Sequence, residues 1–399
     1  FSEDLLDEAT TVHNEALAVL SLLHDLPVHD SAERARLYRE ELVGSPAYQS
    51  LKAALDLWCA CWFWPAGDLD YAPIPTTLSS SNAQTQAIAS RIANAHRFFH
   101  WELEFPDVFR ESGAGFDAVL GNPPWENLQP NPEEFFSNFD PLFRAYGRLE
   151  KNRALTAMFT ADAEVERAWL DYSADFNSIS NWVTYAAKSC GDPATAEASG
   201  DRFAIARGRE NDVLHARWRV VRQKSRGYSD AAHPFRYQTG RIFTYRLFLE
   251  QCHALLRRGG RMGQVVPSGL YSDAWSQPLR ELFLDHCRWE WLFGFENKEG
   301  IFAIHRSFKF NPVVIEKGGQ THAIRTAFMR CSLEDWERAE ELAVPYTRTQ
   351  VERFSPKSRA ILEIQASRDL DVLEKMYANS VLLGDDGVDS WSVKFRLEF

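Results

Sequence analysis

A chain of 399 residues with 45% hydrophobic residues has the length for two or three domains and the apolar content for their cores. Its formal net charge of −12 argues against general electrostatic affinity for nucleic acid, so any DNA-binding face must be a local patch. No run of about 18 apolar residues occurs, so neither a membrane span nor a membrane partner is expected, and no secretory leader is expected either. The cysteines, Cys59, Cys61, Cys190, Cys252, Cys287 and Cys331, are scattered without a Cys-x-x-Cys pair. Neither a disulfide framework nor a metal site is expected, and a reducing cytoplasm fits.

Residues 1–82 read as a helical region. Leu5, Leu6, Ala9, Val12, Ala16, Val19 and Leu20 recur at helical spacing. Asp30 or Ser31 caps a second helix running to Glu41, and Ser45 with Pro46 starts a third that reaches about Trp64. Trp58, Trp62 and Trp64 are read as core. Pro65 to Ser81 is a loop, and a helix from Ala83 to His100 opens the next segment, 83–125.

That segment ends in Phe116-Asp117-Ala118-Val119-Leu120-Gly121-Asn122-Pro123-Pro124-Trp125. The apolar run, broken only by Asp117, predicts a buried central parallel strand. Gly121 lets the backbone pass close to a neighbour, and the two prolines fix φ and remove two donors. Asn122 and Trp125 are thereby held at the carboxyl end of a strand, where open α/β sheets keep their ligand sites.

Residues 126–235 read as a helical insertion. Glu150 to Ala187 alternates charged and apolar residues in helical style, and Cys190 to Asp201 is a loop. The stretch Arg202 to Arg226 is basic, with Arg217, Arg219, Arg222 and Lys224 around Trp218. Two readings stay open there: a phosphate-contacting surface, or a solvated helix face paired with nearby acids. In residues 236–330, Gly240 to Leu256 predicts a helix closed by Arg257-Arg258-Gly259-Gly260 as its cap. A strand from Arg261 to Val266 then enters the turn Pro267-Ser268-Gly269-Leu270-Tyr271. Leu279 to His286 is a helix, and Arg288 to Phe295 and Ile304 to Ile315 are strands. Residues 331–399 read as a charged helical linker, broken at Pro345 and Pro356, followed by the start of something new.

Asn-Pro-Pro plus an aromatic resembles the catalytic signature of the amino-group methyltransferases that act on adenine N6 in DNA, with Trp125 where Tyr or Phe is commoner. The runs "HWELEFPDVF…GFDAVLGNPPW" and "LFGFEN…IFAIHRSFKF…VVIEKGG" resemble the large adenine-specific methylases of type IIG restriction–modification systems and of the BREX and DISARM phage-defence systems. The resemblance is strong over residues 85–125 and 236–320. It implies an α/β fold, a Rossmann-like class I S-adenosylmethionine-dependent methyltransferase sheet with helical insertions, whose last two strands form an antiparallel hairpin. It implies that Asn122, Pro123, Pro124 and Trp125 form the catalytic motif, with S-adenosylmethionine as methyl donor, no metal, and Phe116 and Gly121 near the cofactor. An aromatic opposite Trp125 would close over a flipped base, and Phe302, Phe308 and Phe310 are the candidates. His305, Arg306 and Lys309 join the basic stretch as candidate DNA contacts. The implied partners are double-stranded DNA and other restriction or phage-defence subunits, and the last segment, 331–399, is where target recognition would begin.

No Gly-rich loop follows an early strand, and no acidic residue ends a second one, although a cofactor of this kind needs both. The expectation is therefore the C-terminal half of the sheet, with its first three strands ahead of Phe1 and an uncovered, aggregation-prone strand edge. Two other functions fit the motif. One is a non-catalytic DNA-binding or scaffold subunit of a defence complex. The other is a protein N5-glutamine methyltransferase, which shares Asn-Pro-Pro-aromatic but not the large inserts.

Overall fold

A computed structural model of the chain describes residues 18–19, 30–61, 63–73, 81–109, 113–185 and 235–382. The chain divides into two compact units: Phe1–Ser112 with Leu128–Arg236, and Gly113–Asn127 with Tyr237–Phe399.

The first unit is helical throughout its described residues. Asp30 accepts the Glu33 N–H and starts α1 (Ser31–Leu37), which continues as a π-helical segment, Tyr38–Val43, through the predicted end at Glu41. The Ser45 hydroxyl accepts the Tyr48 N–H at 3.1 Å and Pro46 takes the first turn of α2 (Pro46–Ala60), as the local sequence dictates. Asn82 caps α3 (Ala83–His96), which stops short of the predicted His100 because Arg97 turns into the left-handed region at φ 53°. A single turn, α4 (Trp101–Glu104), follows. Leu57, Ala60 and Trp64 pack against Ile88, Ala89 and Ile92, so Trp64 is core as expected, whereas Trp62 lies outside the described residues. After the motif, α5 (Pro132–Phe136), α6 (Arg148–Ala161) and α7 (Ala163–Tyr185) enclose Phe136, Phe143 and Val165.

The second unit is α/β, with one six-stranded mixed sheet. Its elements are β1 (Phe116–Gly121), α8 (Thr244–Leu255), β2 (Leu256–Pro267), the single turn α9 (Gly269–Ser272), α10 (Gln277–Asp285), β3 (Cys287–Glu296), β4 (Lys309–Lys317) and β5 (Ala323–Arg330). The short α11 (Leu333–Glu337) and α12 (Ala339–Leu342) precede β6 (Val344–Thr347), α13 (Arg348–Phe354) and α14 (Ser367–Ala378). The strand order is β1-β2-β4-β3-β5-β6. β1 and β2 are parallel, β4 runs antiparallel to both β2 and β3, β5 is parallel to β3, and β6 is antiparallel to β5. The carboxyl ends of β1, β2 and β3 thus fall at one end of the sheet. One face is covered by Tyr245, Leu249 and Cys252 of α8 and by Leu279, Leu282 and Phe283 of α10, packed on Met262, Val266, Leu292 and Val313. Each of the Leu, Val, Met and Phe side chains among these contributes about 1.5–3 kcal/mol through burial.

The structure corrects the sequence reading in four places. β1 is not buried as its apolar run predicts: β2 is its single neighbour among the described residues, and Leu120 is 82% exposed. Arg257-Arg258-Gly259-Gly260 does not cap α8 but lies inside β2. Lys317 Nζ donates to the Ala254 and Leu256 carbonyls at 3.2 and 2.6 Å, so the helix end needs no glycine. Gly260 serves close approach instead: a Cβ there would lie 2.7 Å from the Phe116 carbonyl oxygen. The predicted strand Ile304 to Ile315 begins only at Lys309, because Ile304 to Phe308 is a loop held by Asn297. Finally, Val344–Thr347, expected to be helical around a proline break, is an edge strand, where proline is tolerated.

Candidate functional site

The site grows from the turn that follows β1. Gly121 pairs with Gln264 across the β1–β2 register. A Cβ on Gly121 would sit 2.9 Å from the Gln264 side-chain oxygen, so the close neighbour anticipated for this glycine is the Gln264 amide. That buried amide donates to the Val119 carbonyl at 3.3 Å and ties the end of β1 to β2. Beyond it Asn122 is exposed, Pro123 buried, Pro124 exposed and Trp125 half-buried. The Trp125 indole N–H donates to the Val265 carbonyl of β2 at 3.2 Å. This fixes the ring's orientation, and neither Tyr nor Phe offers an equivalent N–H donor.

Trp125 meets aromatic side chains of β4 and of the loop between β3 and β4. Phe310 lies 6.5 Å away and nearly parallel, at 23°. The other Phe310 neighbour of similar orientation is Phe295, stacked at 5.0 Å and 13°. Phe302 stands edge-on to both rings, 6.4 Å and 82° from Trp125 and 4.7 Å and 77° from Phe310. Of the three candidate phenylalanines the structure therefore brings Phe302 and Phe310 to Trp125. Phe308 is 52% exposed and has no ring contact among the described residues. Phe116 is half-buried at the far end of β1 from the motif.

Two residues of this site went unnoticed in the sequence. Asn297 is fully buried after β3 and holds the loop that carries Phe302. Its side-chain amide donates to the Phe302 and Ile304 carbonyls, both at 3.0 Å, and accepts the Phe302 N–H at 3.0 Å. The signal was an Asn directly behind an apolar strand, in Gly294-Phe295-Glu296-Asn297. Glu363 is the other, and nothing local in its segment points to it. It accepts from Lys309 Nζ and from the Tyr271 hydroxyl, each at 2.6 Å.

Lys309, a candidate DNA contact, is engaged within the protein. Glu363 and, at 3.5 Å, Glu296 face it, and Glu296 also pairs with Lys298. Burial works against the Lys309 charge, but the two glutamates outweigh it and raise the pKa above the usual lysine value. Two lysines and two glutamates make this cluster neutral. Arg306 has no ion pair among the described residues, and His305 is exposed with Nδ1 at 2.7 Å from the Ser307 hydroxyl. Arg217, Arg219, Arg222 and Lys224 lie outside the described residues. Among the described residues no group of three His, Cys, Asp or Glu side chains is placed to hold a metal ion, and no helix is long and apolar enough to cross a membrane.

Comparison with known proteins gives one family: the model for the Eco57I restriction-modification methylase matches residues 48–163, which include the motif. No curated protein matches. Among solved structures, a modification subunit ascribed to a type I restriction enzyme of Vibrio vulnificus YJ016 is 20% identical over 35% of this chain, with a TM-score of 0.21. The M protein of the type I restriction enzyme EcoKI is 18% identical over 33%, with a TM-score of 0.21. The type IIG restriction endonuclease BpuSI is 17% identical over 37%, with a TM-score of 0.25. The matches span 26%, 31% and 18% of those three chains respectively.

Proposed function

We propose that this chain carries the base-binding side of a DNA adenine-N6 methyltransferase from a restriction–modification or phage-defence system. The observation that carries the reading is Asn122-Pro123-Pro124-Trp125 at the carboxyl end of β1, with Trp125 tethered to β2 and facing two phenylalanines. The order β1-β2-β4-β3, with an antiparallel strand inserted between two parallel ones, supports it, because the hairpin of β3 and β4 is what the resemblance implies for the last two strands of a class I methyltransferase sheet. The family-model match over residues 48–163 supports it independently.

The chemistry follows from the residue types. The exocyclic amine of adenine is a poor nucleophile because its lone pair is delocalised into the ring. The Asn122 side-chain oxygen and the Pro123 carbonyl accept its two hydrogens, which favours the tetrahedral nitrogen from which attack is possible. Fixed dipoles achieve this better than water, and Pro123 is buried while two prolines stiffen the turn. The base leaves the duplex to reach them and stacks on Trp125. Arg306 and His305 meet the flanking phosphates, and Lys309 holds the segment around Glu363.

S-adenosylmethionine is the donor that the resemblance implies, and its sulfonium would supply the methyl group. The described residues do not form its cradle: beside β1 there is a bare edge with Leu120 exposed, and no Gly-rich loop follows a strand. The donor side of the site must come from outside the described residues. The same observation favours a second reading, a subunit that keeps the fold without catalysis.

The test is a labelled-methyl transfer assay on the full-length protein, offering DNA and protein substrates separately. Label in the N6 position of adenine in DNA is the expected result. Label in protein glutamine would replace the reading with the N5-glutamine one, and absence of donor binding would favour the scaffold.

A further inference from the structure

We infer that the end of the sheet remote from the Asn-Pro-Pro-Trp turn carries a second site, a cationic cavity between the start of β2 and the β4–β5 turn that takes the phosphate chain of a nucleotide. The inference stands apart from the methyltransferase reading, because the two places share no residue. Phe310, beside Trp125, stands near the start of β4, and Lys317 ends that nine-residue strand, so the sites are on the order of 20 Å apart.

The cavity measures about 340 Å³, at the small end of the range that small-molecule sites occupy. Its wall brings Arg258, Arg288, Lys317 and His322 together with one carboxylate, Glu316. Two backbone irregularities build it. Between Leu256 and Arg261 the register of β2 against β1 shifts, and Gly259, at φ 81°, lets the strand bulge. The bulge parts its two arginines. Arg257 Nε donates to Asp117 Oδ1 at 2.6 Å, whereas the Arg258 stem lies across Gly318, where a Cβ would come 3.1 Å from Arg258 Cγ. The turn beneath that stem is held in place. The Gly318 N–H donates to the His286 carbonyl at 3.1 Å, and fully buried Thr321 accepts the Trp289 N–H at 2.8 Å. A wall fixed in this way loses little freedom when a ligand binds.

The charges in the wall do not cancel. Glu316 pairs with Arg261 and Arg288, and Glu290 lies 3.2 Å from Arg261 and 3.9 Å from Arg288, so these two arginines and two glutamates neutralise one another. Arg258 has no ion pair among the described residues. Lys317 Nζ donates to the Ala254 and Leu256 carbonyls, which leaves its full charge and one of its three donors. Arg258 and Lys317 thus remain, and His322 adds to them when protonated. The same charge reaches His253, whose pKa is lowered by burial and then by Lys317 and His286. A backbone phosphodiester of DNA brings one negative charge per phosphate, whereas a terminal phosphate brings nearly two to one point. The planar fork of Arg258 beside a lysine suits the latter, and a concave wall suits a chain end rather than a continuous strand.

The test is isothermal titration of the full-length protein with pyrophosphate and with ATP, free of magnesium and at about 0.15 M salt, so that weak surface attraction is screened. Saturable one-to-one binding is expected. Arg258→Gln should weaken it about 10-fold, as loss of one charge-assisted contact does. Gln320→Glu, which sets a carboxylate in the cavity wall, should weaken it as well. Arg257→Gln, whose side chain pairs with Asp117, should leave it unchanged. No saturable binding by the wild type, or equal affinity in the wild type and Arg258→Gln, would overturn the inference. So would an equal loss in Arg257→Gln, the mark of general charge attraction. Short duplex DNA is titrated in parallel. Weaker duplex binding by Arg258→Gln, without pyrophosphate or ATP binding by the wild type, would make the cavity a DNA backbone contact and overturn the nucleotide site. If Arg258→Gln lowers the melting temperature, Gln320→Glu decides by the same comparison.

Discussion

At the scale of single residues, the proposed function divides holding the amine, at Asn122, from holding the ring, at Trp125. Asn122 offers a side-chain acceptor on a turn stiffened by Pro123 and Pro124. Asn122→Ala should lower the methylation rate by about 10²–10³-fold, as loss of one fixed dipole does elsewhere, with DNA affinity little changed. A split of that kind between kcat and KM distinguishes it from misfolding. Trp125 acts through its face and through its indole N–H to Val265. Trp125→Ala should cost about 1–3 kcal/mol in binding of the target base. Trp125→Phe keeps a stacking face but frees the ring, and should lose about 1 kcal/mol through the missing hydrogen bond. Equal affinities for wild type and Trp125→Phe would show that the tether to β2 does not matter.

At the scale of elements, what was legible in the sequence was what local chemistry decides. Ser45 and Pro46 start α2 because a cap and a first-turn proline act within one turn. The Asn-Pro-Pro-Trp turn was legible for the same reason. Arg257 to Gly260 was misread because Gly-Gly after two cations has the composition of a helix end, while its actual partner is β1, more than a hundred residues away in sequence. Asn297 stands directly behind an apolar strand, but its role depends on the backbone of a loop whose path is a tertiary property. The choice among Phe302, Phe308 and Phe310 depends on relative ring orientation, a tertiary property. Element packing also yields a pH prediction. Burial, helped by Lys317 and His286, lowers the pKa of His253 on α8 to about 4, below its ordinary value of 6.5. The native state keeps this ring neutral, so between those values the unfolded chain binds the extra proton. Stability is then full above about pH 6.5 and falls as the pH drops toward 4, by up to a few kcal/mol. His253→Gln should flatten that part of the stability-against-pH curve in denaturant melts. An unchanged slope would remove His253 as its cause.

At the scale of the whole molecule, the bare edge of β1 matters most. Leu120 is 82% exposed on a strand with one neighbour among the described residues. Exposed, apolar strand edges pair with other chains. Leu120→Lys should therefore reduce self-association of the 399-residue chain in sedimentation experiments without lowering its melting temperature. Unaltered self-association would place the sticky surface elsewhere. With a net charge of −12, and with Lys309 paired to two glutamates, Arg306 is a cation on which the proposed DNA contact would rest. Arg306→Ala should weaken binding across DNA sequences uniformly and make its salt dependence shallower by about one ion. A change in sequence preference instead would make Arg306 a base contact.

In the proposed function, Asn122 and its neighbours present an adenine amine for methylation. The most direct measurement is N6-methyladenine in the DNA of cells carrying the full-length gene, wild type against Asn122→Ala. Sequence-specific marks are expected in the wild type, and their loss in the variant. Marks that persist undiminished in Asn122→Ala, with the protein present at equal level, would contradict it.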